Sequence, residues 1–416
     1  MKQADVLIAG GGLVGLPLAI ALARGGLSVV VADAAPVAMV LEPRFDGRVS
    51  ALAYACVRML AALGVWDHLA PHAQPIHEIL VTDGAPGGRP SPFSLHFDGG
   101  EVGAGALGHI AENRHIRLAL YQAVAATPNL TLMAPNAVKS ITVDGSAAIA
   151  TLADGQTLSA SLAIIADGRQ SPLRAEAGIN TVGWSYPQTG IVATVAHEKP
   201  HNGVAYEHFL PSGPFAILPL PPATLADGAQ VQRSSLVWTE TRDKTPGLLA
   251  LDEAGFNAEL ALRFGDHLGK AQVLGQRWSY PLAFHIARDF VRPRLALAGD
   301  AAHGIHPIAG QGLNLGLKDG AALAEVLLDA ARLGQDIGAL DVLKRYERWR
   351  RFDSFTLAAS TDALNRLFSN DIAPLRGLRD LGLGIVDAIG PARRFFMRHA
   401  GGDVGKLPRL MKGEAA

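Results

Sequence analysis

The 416-residue chain contains a single cysteine, Cys56. One cysteine excludes an intramolecular disulfide and a thiolate metal cluster, and fits a reducing compartment. Cys56 lies in an apolar helical stretch and reads as a core residue. Charge is also scarce: 18% of residues are charged and the formal net charge is −1. Neither sign is in excess, so the balance of charge offers nothing to nucleic acid. Long apolar runs are missing too. The longest, Leu13 to Ala23, stops at Arg24, short of a transmembrane span. Three consecutive glycines interrupt the first apolar segment, which argues against a secretory leader. No internal repeat or low-complexity segment is visible. What is abundant is apolar residue, at 49%, enough for a large core. The length predicts two or three domains.

The chain opens with an apolar strand, Ala4 to Ala9, followed at once by Gly10-Gly11-Gly12-Leu13-Val14-Gly15 and a helix to Arg24. A second apolar strand, Ser28 to Ala32, ends on Asp33. Strand, G-x-G-x-x-G, helix, strand and acid within about 30 residues form a dinucleotide-binding unit. Gly10 permits the tight turn, Gly12 lets backbone approach a pyrophosphate, and Gly15 allows close helix packing. Asp33 is placed to accept bonds from a ribose.

Two later stretches repeat the design. Leu162 to Ala166 ends in Asp167-Gly168-Arg169. Leu295 to Ala298 ends in Gly299-Asp300 and passes through His303, His306 and Pro307 to a helix opening Gly310-Gln311-Gly312-Leu313-Asn314. In an open α/β sheet, ligands sit at the carboxyl ends of strands, where Asp33, Asp167 and Asp300 all fall. A helix N-terminus adds free N–H groups and a positive dipole end.

Between these stretches the pattern changes. Pro43 to Leu69 reads as a polar loop with Arg44, Asp46 and Arg48, then an amphipathic helix with Leu52, Val57, Leu60 and Leu63 on its apolar side. Arg48 is a candidate phosphate clamp. Ile110 to Ala126 reads as helix, with Asn113 and Arg114 near its start. From Trp184 to Tyr280, alternation predicts antiparallel strands at Gly190–His197, Gly203–Leu210, Phe215–Leu220 and Gln230–Glu240, then a helix over Leu251 to Gly265. Helices are expected over Leu313–Arg332 and Leu340–Phe355. The tail from Ser360 is patterned as interrupted helix. From Asp371 to Arg409 it holds seven Lys or Arg against four Asp or Glu. Such a tail suits either its own domain or a membrane surface or partner.

The three glycine-acid motifs together resemble the FAD-dependent aromatic hydroxylases typified by p-hydroxybenzoate hydroxylase. DGRVSALAYACVRMLAALGVW, IAENRHIRLAL, IIADGRQSPLR, FLPSGPFAILPLP, YPLAFHIARDF, LAGDAAHGIHPIAGQGLNLGLKD and the tail NRLFSNDIAPLRGLRDLGLG narrow the resemblance to the ubiquinone-biosynthesis hydroxylases. The resemblance implies an α/β fold: a Rossmann-like FAD-binding domain (1–75, 106–180 and 283–358), an inserted antiparallel sheet for substrate (76–105 and 181–282) and a helical C-terminal region (359–416). It implies that Gly10, Gly12 and Gly15 carry the FAD pyrophosphate and Asp33 the ribose, where the family more often has Glu. Arg48 and Asn113 would lie near the flavin. Asp167 and Gly168 would serve the pyrophosphate and a transient NADH or NADPH, and Gly299 and Asp300 the ribityl or pyrophosphate region. Pro307, Gly310, Gln311, Gly312, Leu313 and Asn314 would line the isoalloxazine. Phe215, Ile217 and Leu218 are expected to line the substrate cleft, and His303 and His306 to be structural.

The reaction so implied is hydroxylation of a polyprenylated phenol with NAD(P)H and O2 through a flavin C4a-hydroperoxide, with no metal and no protein nucleophile. The implied setting is cytoplasmic, with the tail touching a membrane surface or a ubiquinone-biosynthesis complex. A hydroxylase of a soluble aromatic and a non-catalytic scaffold are the alternatives. A halogenase would carry W-x-W-x-I-P, and none of the five tryptophans forms W-x-W.

Overall fold

The computed structural model describes residues 2–42, 47–87, 91, 94–103, 105–224, 228–369, 389–390, 397, 401–402 and 405–416. In chain order the first half holds β1 (Lys2–Ala9), α1 (Gly15–Arg24), β2 (Val29–Ala32), α2 (Val37–Val40), β3 (Val49–Ala53), α3 (Tyr54–Ala62), α4 (Trp66–Leu69), β4 (Ala73–Ile76), β5 (Glu78–Asp83), β6 (Ser94–Asp98), β7 (Gly108–Glu112), α5 (Asn113–Ala125), β8 (Leu130–Met133), β9 (Val138–Asp144), β10 (Ala147–Leu152) and β11 (Thr157–Ile165). The second half holds α6 (Pro172–Glu176), β12 (Thr181–His197), β13 (Val204–Leu210), β14 (Gly213–Thr224), β15 (Gln230–Thr241), α7 (Thr245–Ala250), α8 (Glu253–Phe264), β16 (Ala271–Ala287), β17 (Val291–Arg292), β18 (Leu295–Leu297), β19 (His303–Gly304), α9 (Gln311–Arg332) and α10 (Leu340–Phe368).

The first sheet runs β17-β18-β11-β1-β2-β8, with β10 and β9 branching from β11. Its centre is parallel: β1 pairs with β2 and β11, β2 with β8, and β11 with β18. Strands covered on both faces read as continuous apolar runs, as Val6–Ala9 and Leu162–Ile165 do, and those residues are buried. Because the strands are parallel, the chain leaves β1, β11 and β18 at the same edge. The three glycine-acid motifs therefore meet there.

The second sheet runs β19-β16-β12-β15-β14-β13-β5-β6. It is antiparallel except for β13 with β5. Period 2 sends alternate residues to opposite faces. One face carries Phe215, Ile217, Leu236 and Trp238, which pack with Phe256, Leu260 and Phe264 of α8. The other face carries Ile79, Ala205, Leu218 and Leu220, which pack with Ala51 of β3 and Ile110 of β7. This inner face is turned toward the first half of the chain. β3, β7 and β4 form a small third sheet at the junction.

Several elements differ from the sequence reading. Leu52 lies in β3, and the helix begins only at Tyr54. Ile110 and Ala111 lie in β7, and α5 begins at Asn113. The strand β16, 17 residues long, follows α8 and crosses residue 283 without a break. α10 runs to Phe368 instead of ending at Phe355. Its first half is fixed to the first sheet: Tyr346 Oη donates to the Leu297 carbonyl at 2.8 Å. Its second half is fixed to the second sheet: Tyr186 Oη donates to Asp362 Oδ1 at 2.7 Å, and Asn365 Nδ2 to Gln188 Oε1 at 3.0 Å. Asp371 to Phe396 lies outside the described residues apart from Ile389 and Gly390, as do Arg44 and Asp46.

Candidate functional site

The site is built first from glycine. Gly10 has φ +110°, and a Cβ there would lie 2.3 Å from the Ala166 carbonyl oxygen of β11's exit. A Cβ on Gly15 would lie 2.0 Å from the Gly10 carbonyl oxygen. Both positions need glycine for the backbones to touch at all. Gly12 is different: a Cβ would meet nothing within 4 Å. Its exposed side opens outward at the N-terminus of α1, which no side chain caps. Asp33 closes the loop from the β2 end. Its Oδ2 accepts from the Gly11 N–H at 2.6 Å and its Oδ1 from the Ala35 N–H at 2.7 Å. A carboxylate oxygen keeps further acceptor capacity after one such bond.

Asp167 follows β11. Both its carboxylate oxygens are buried and no described group meets them at full hydrogen-bond geometry, although the Ser171 hydroxyl and the backbone N–H groups of Asp167 and Leu173 lie close enough to favour the charged form. Burial raises its pKa, against opposing contributions from Ser171 and Arg174. A buried acid left this way has acceptor capacity to spare for a further donor. Gly168 beside it has φ +95° and open space where a side chain would be.

At the exit of β18, Gly299 turns with φ +62°. Its N–H donates to Asp319 Oδ2 at 3.2 Å. The Asp300 side chain is exposed, and its carbonyl accepts from His285 Nε2 at 2.9 Å. Gly316 lets α9 lie against this turn, since a Cβ there would sit 2.7 Å from Val14 Cγ2 and 3.2 Å from Gly299 Cα. Asp319 itself is fully buried and also bonds His303 Nε2 at 2.5 Å and Arg350 Nε at 2.8 Å. The sequence reading missed Asp319 and Arg350; an acid inside the apolar stretch Leu313–Ala331 was the available signal.

Gly310, φ +62°, ends the turn that follows Pro307, and α9 starts at Gln311 with no side-chain cap. A Cβ on Gly310 would come within 3.0 Å of Ala51 Cβ, while Gly312 has open space. Gln311 is buried and Leu313 packs on the main core. The Asn314 amide is committed to β3: Oδ1 accepts from the Ala53 N–H at 3.0 Å and Nδ2 donates to the Ala51 carbonyl at 2.9 Å. Its side chain thus joins α9 to β3 and is not aimed at a ligand. Asn113 Oδ1 accepts from Ser50 Oγ at 2.7 Å, and its N–H donates to the Arg48 carbonyl at 3.0 Å. Arg48 is exposed. His306 is buried against the Tyr186 ring, centroids 5.1 Å apart. Burial lowers its pKa to about 4, partly opposed by Asp362, so the ring is neutral.

The expectation for Phe215 and Ile217 is corrected. Both point into the core beneath α8, on the face away from these motifs. Leu218, one residue on, points the other way, to the inner face. That face continues through Val81, Leu95, Phe97 and Phe209 to Ile308, next to Pro307. An apolar wall therefore runs from the second sheet to the start of α9, covered in part by Met397 and by Phe368 of α10, whose ring stacks on Phe209 with centroids 4.2 Å apart. The described residues contain no group of three or more His, Cys, Asp or Glu able to hold a metal. No helix among them is long and apolar enough to cross a membrane.

A glycine cradle, three acids at one sheet edge and two uncapped helix N-termini define a dinucleotide-binding protein, and the fit is good for a pyrophosphate with a large planar ring. Residues 3–352 match the model of the FAD binding domain family. The ubiquinone hydroxylase UbiL of Rhodospirillum rubrum is 51% identical over 99% of this chain and 93% of its own length. The 3-demethoxyubiquinol 3-hydroxylase of Escherichia coli is 34% identical over 96% of this chain and 98% of its own. The chain belongs to the FAD binding domain family, in its branch of FAD-dependent ubiquinone-biosynthesis hydroxylases. Among solved structures, p-nitrophenol 4-monooxygenase PnpA from Pseudomonas putida superposes with a TM-score of 0.77 at 20% identity, covering 98% of this chain and all of that one. That likeness concerns the fold.

Proposed function

We propose that this enzyme hydroxylates the aromatic ring of a polyprenylated phenol on the way to ubiquinone, using FAD, NADH or NADPH, and O2. The observation that carries the reading is the apolar inner wall leading to Pro307 and Gly310. A ring bearing a long hydrocarbon chain buries its apolar surface there, at about 25 cal/mol per Å².

Bound FAD supplies electron transfer from the nicotinamide and the activation of oxygen; the protein supplies position and electrostatics. Gly10, Gly12 and Gly15 would hold the pyrophosphate at the α1 N-terminus. Asp33 would take the ribose, Asp300 the ribityl or pyrophosphate region, and Asp167 with Gly168 the pyrophosphate and the nicotinamide nucleotide. The Gly310 turn and the α9 N-terminus would meet the ring, where the positive dipole end favours negative charge. The apolar wall keeps water from the reacting atoms. In this reading residues 1–75, 106–180 and 283–358 serve FAD, 76–105 and 181–282 serve the substrate, and the tail meets a membrane surface or a biosynthetic partner.

The test is turnover by the purified, FAD-loaded enzyme of matched phenols with and without a prenyl chain. Preference for the prenylated compound supports the proposal. Equal or better turnover of the short phenol overturns it. Profiling quinone intermediates in a strain lacking the protein names the ring position.

A further inference from the structure

The inner wall is mainly apolar, but it carries Glu207 on β13. Its direct neighbours are Val81 on β5 and Ala216 on β14, and Ala205 and Phe209 flank it along the strand. Directly opposed residues in a sheet have Cβ atoms about 5 Å apart and share a face. Ala205 belongs to the cluster facing Ala51 and Ile110. Phe209 belongs to the cluster facing Ile308. Glu207 lies between them on the same face, so its carboxyl is directed at the wall that ends beside Pro307. Tyr206 faces the opposite, α8 side.

No hydrogen bond or ion pair engages the Glu207 carboxyl among the described residues. Desolvation raises its pKa to about 7. The charged groups on the same face of β5 and β15 are already engaged. Asp83 Oδ1 accepts from the Gly84 N–H at 3.0 Å, and Arg233 Nη1 pairs with Glu112 Oε1 at 2.8 Å. Glu207 is half-buried by surface exposure, and a carboxyl in an apolar wall with no protein partner still costs some stability. Such a cost is characteristic of a group kept for a ligand, and a carboxyl that titrates near neutrality is suited to proton transfer.

Resting on the proposed hydroxylation, we propose that Glu207 is a catalytic residue that holds the substrate's phenolic O–H and takes its proton as the ring is oxygenated. The O–H bond breaks and its electron pair moves into the ring, raising the nucleophilicity of the carbon that receives one atom of O2. The reductant is the nicotinamide, and the second oxygen atom leaves as water. When that carbon gives up its hydrogen as a proton, which the second oxygen atom takes on its way to water, aromaticity returns and the proton on Glu207 goes back to the phenolic oxygen. Glu207 ends as it began.

The experiment uses the full-length, FAD-loaded enzyme with Glu207→Gln and Glu207→Asp, a phenol bearing a short prenyl chain, and the methyl ether of that phenol. Flavin absorbance reports loading and ligand binding. Glu207→Gln is expected to load FAD, bind the ether as the wild type does, and hydroxylate the phenol at least about 100-fold more slowly. It should also lose the pH-profile limb near neutrality, and Glu207→Asp should restore part of both. A merely structural role would weaken phenol and ether alike and leave the limb in place. Wild-type turnover matched by Glu207→Gln at every pH overturns this assignment alone. A wild-type enzyme that turns over no phenol overturns the hydroxylation reading, and the assignment with it.

Discussion

The carboxylate of Asp319 accepts from the His303 ring at 2.5 Å, joining α9 to the loop that carries Gly299 and Asp300. The same carboxylate binds the fully buried guanidinium of Arg350 and the Gly299 N–H. The ligand-side turn is therefore shaped from behind by a buried charge cluster.

Asp319→Asn is expected to destabilise the protein by about 3 kcal/mol, because it leaves the buried Arg350 with Asp353 alone, at 2.7 Å, as its carboxylate partner. Burial alone pushes the Asp319 carboxyl up; His303 and Arg350 more than offset this, and it lies below the ordinary carboxylate range. A depressed folded-state pKa adds stability that is present above the unfolded value and lost as pH falls through the folded one. The wild type should thus show an extra loss of stability below about pH 4, which thermal melts across pH would find missing in Asp319→Asn. Identical acid limbs in the two proteins would refute this.

Glycines in one loop should separate by readout. Gly15→Ala drives a Cβ into the Gly10 carbonyl and is expected to compromise folding. Gly12→Ala meets open space, so the melting temperature without flavin should stay near wild type while FAD affinity falls. Isothermal titration with FAD decides. Wild-type affinity in Gly12→Ala would mean that the pyrophosphate does not lie against this backbone.

Asp167→Asn should stabilise the flavin-free protein at neutral pH. Burial raises the Asp167 pKa, so the folded state favours the proton, and stability falls as pH rises through the interval between the unfolded and folded values. The amide carries no charge to bury. The same change should weaken handling of FAD or of the nicotinamide, read as lower flavin retention or a higher KM for NAD(P)H. A flavin-free Asp167→Asn less stable than wild type at pH 7 would contradict the account.

Neighbouring residues of β14 should behave oppositely. Phe215→Ala opens a cavity under α8 and should cost about 3–5 kcal/mol, with little change in KM for the prenylated phenol in the protein that remains folded. Leu218→Ala should raise that KM at a smaller cost in melting temperature. The reverse pattern would put the substrate on the α8 side.

These two residues also mark how far the sequence reached. Alternation tells that Phe215 and Ile217 share a face and that Leu218 does not. Which face meets the cleft depends on where α8 packs, and that is a tertiary fact. The parallel strands and their glycine-acid exits were legible, because a fully buried strand is a continuous apolar run and a glycine forced by backbone contact allows no substitute. β3 and β7 were not, since each is five residues long and runs directly into a helix whose apolar spacing absorbs it. β16 carries irregular pairing with β12 near Ser185 and Val192, which breaks the alternation that would have announced it. The bonds of Asn314 to Ala51 and Ala53 cross more than 250 positions of sequence, beyond the reach of any local pattern.

α10 is held at Tyr346 by the first sheet and at Asp362 and Asn365 by the second. Tyr346 to Asn365 is 365 − 346 = 19 residues, roughly 28 Å of helix at the usual rise. A helix hardly shortens under load, so this span acts as a fixed gauge between the inner wall of the second sheet and the glycine-lined edge of the first. Widening the gap means unseating Asp362 or Asn365 from β12. Motion that admits a substrate would therefore register first as the release of Tyr186 and Gln188, far along the chain from any glycine of the cradle.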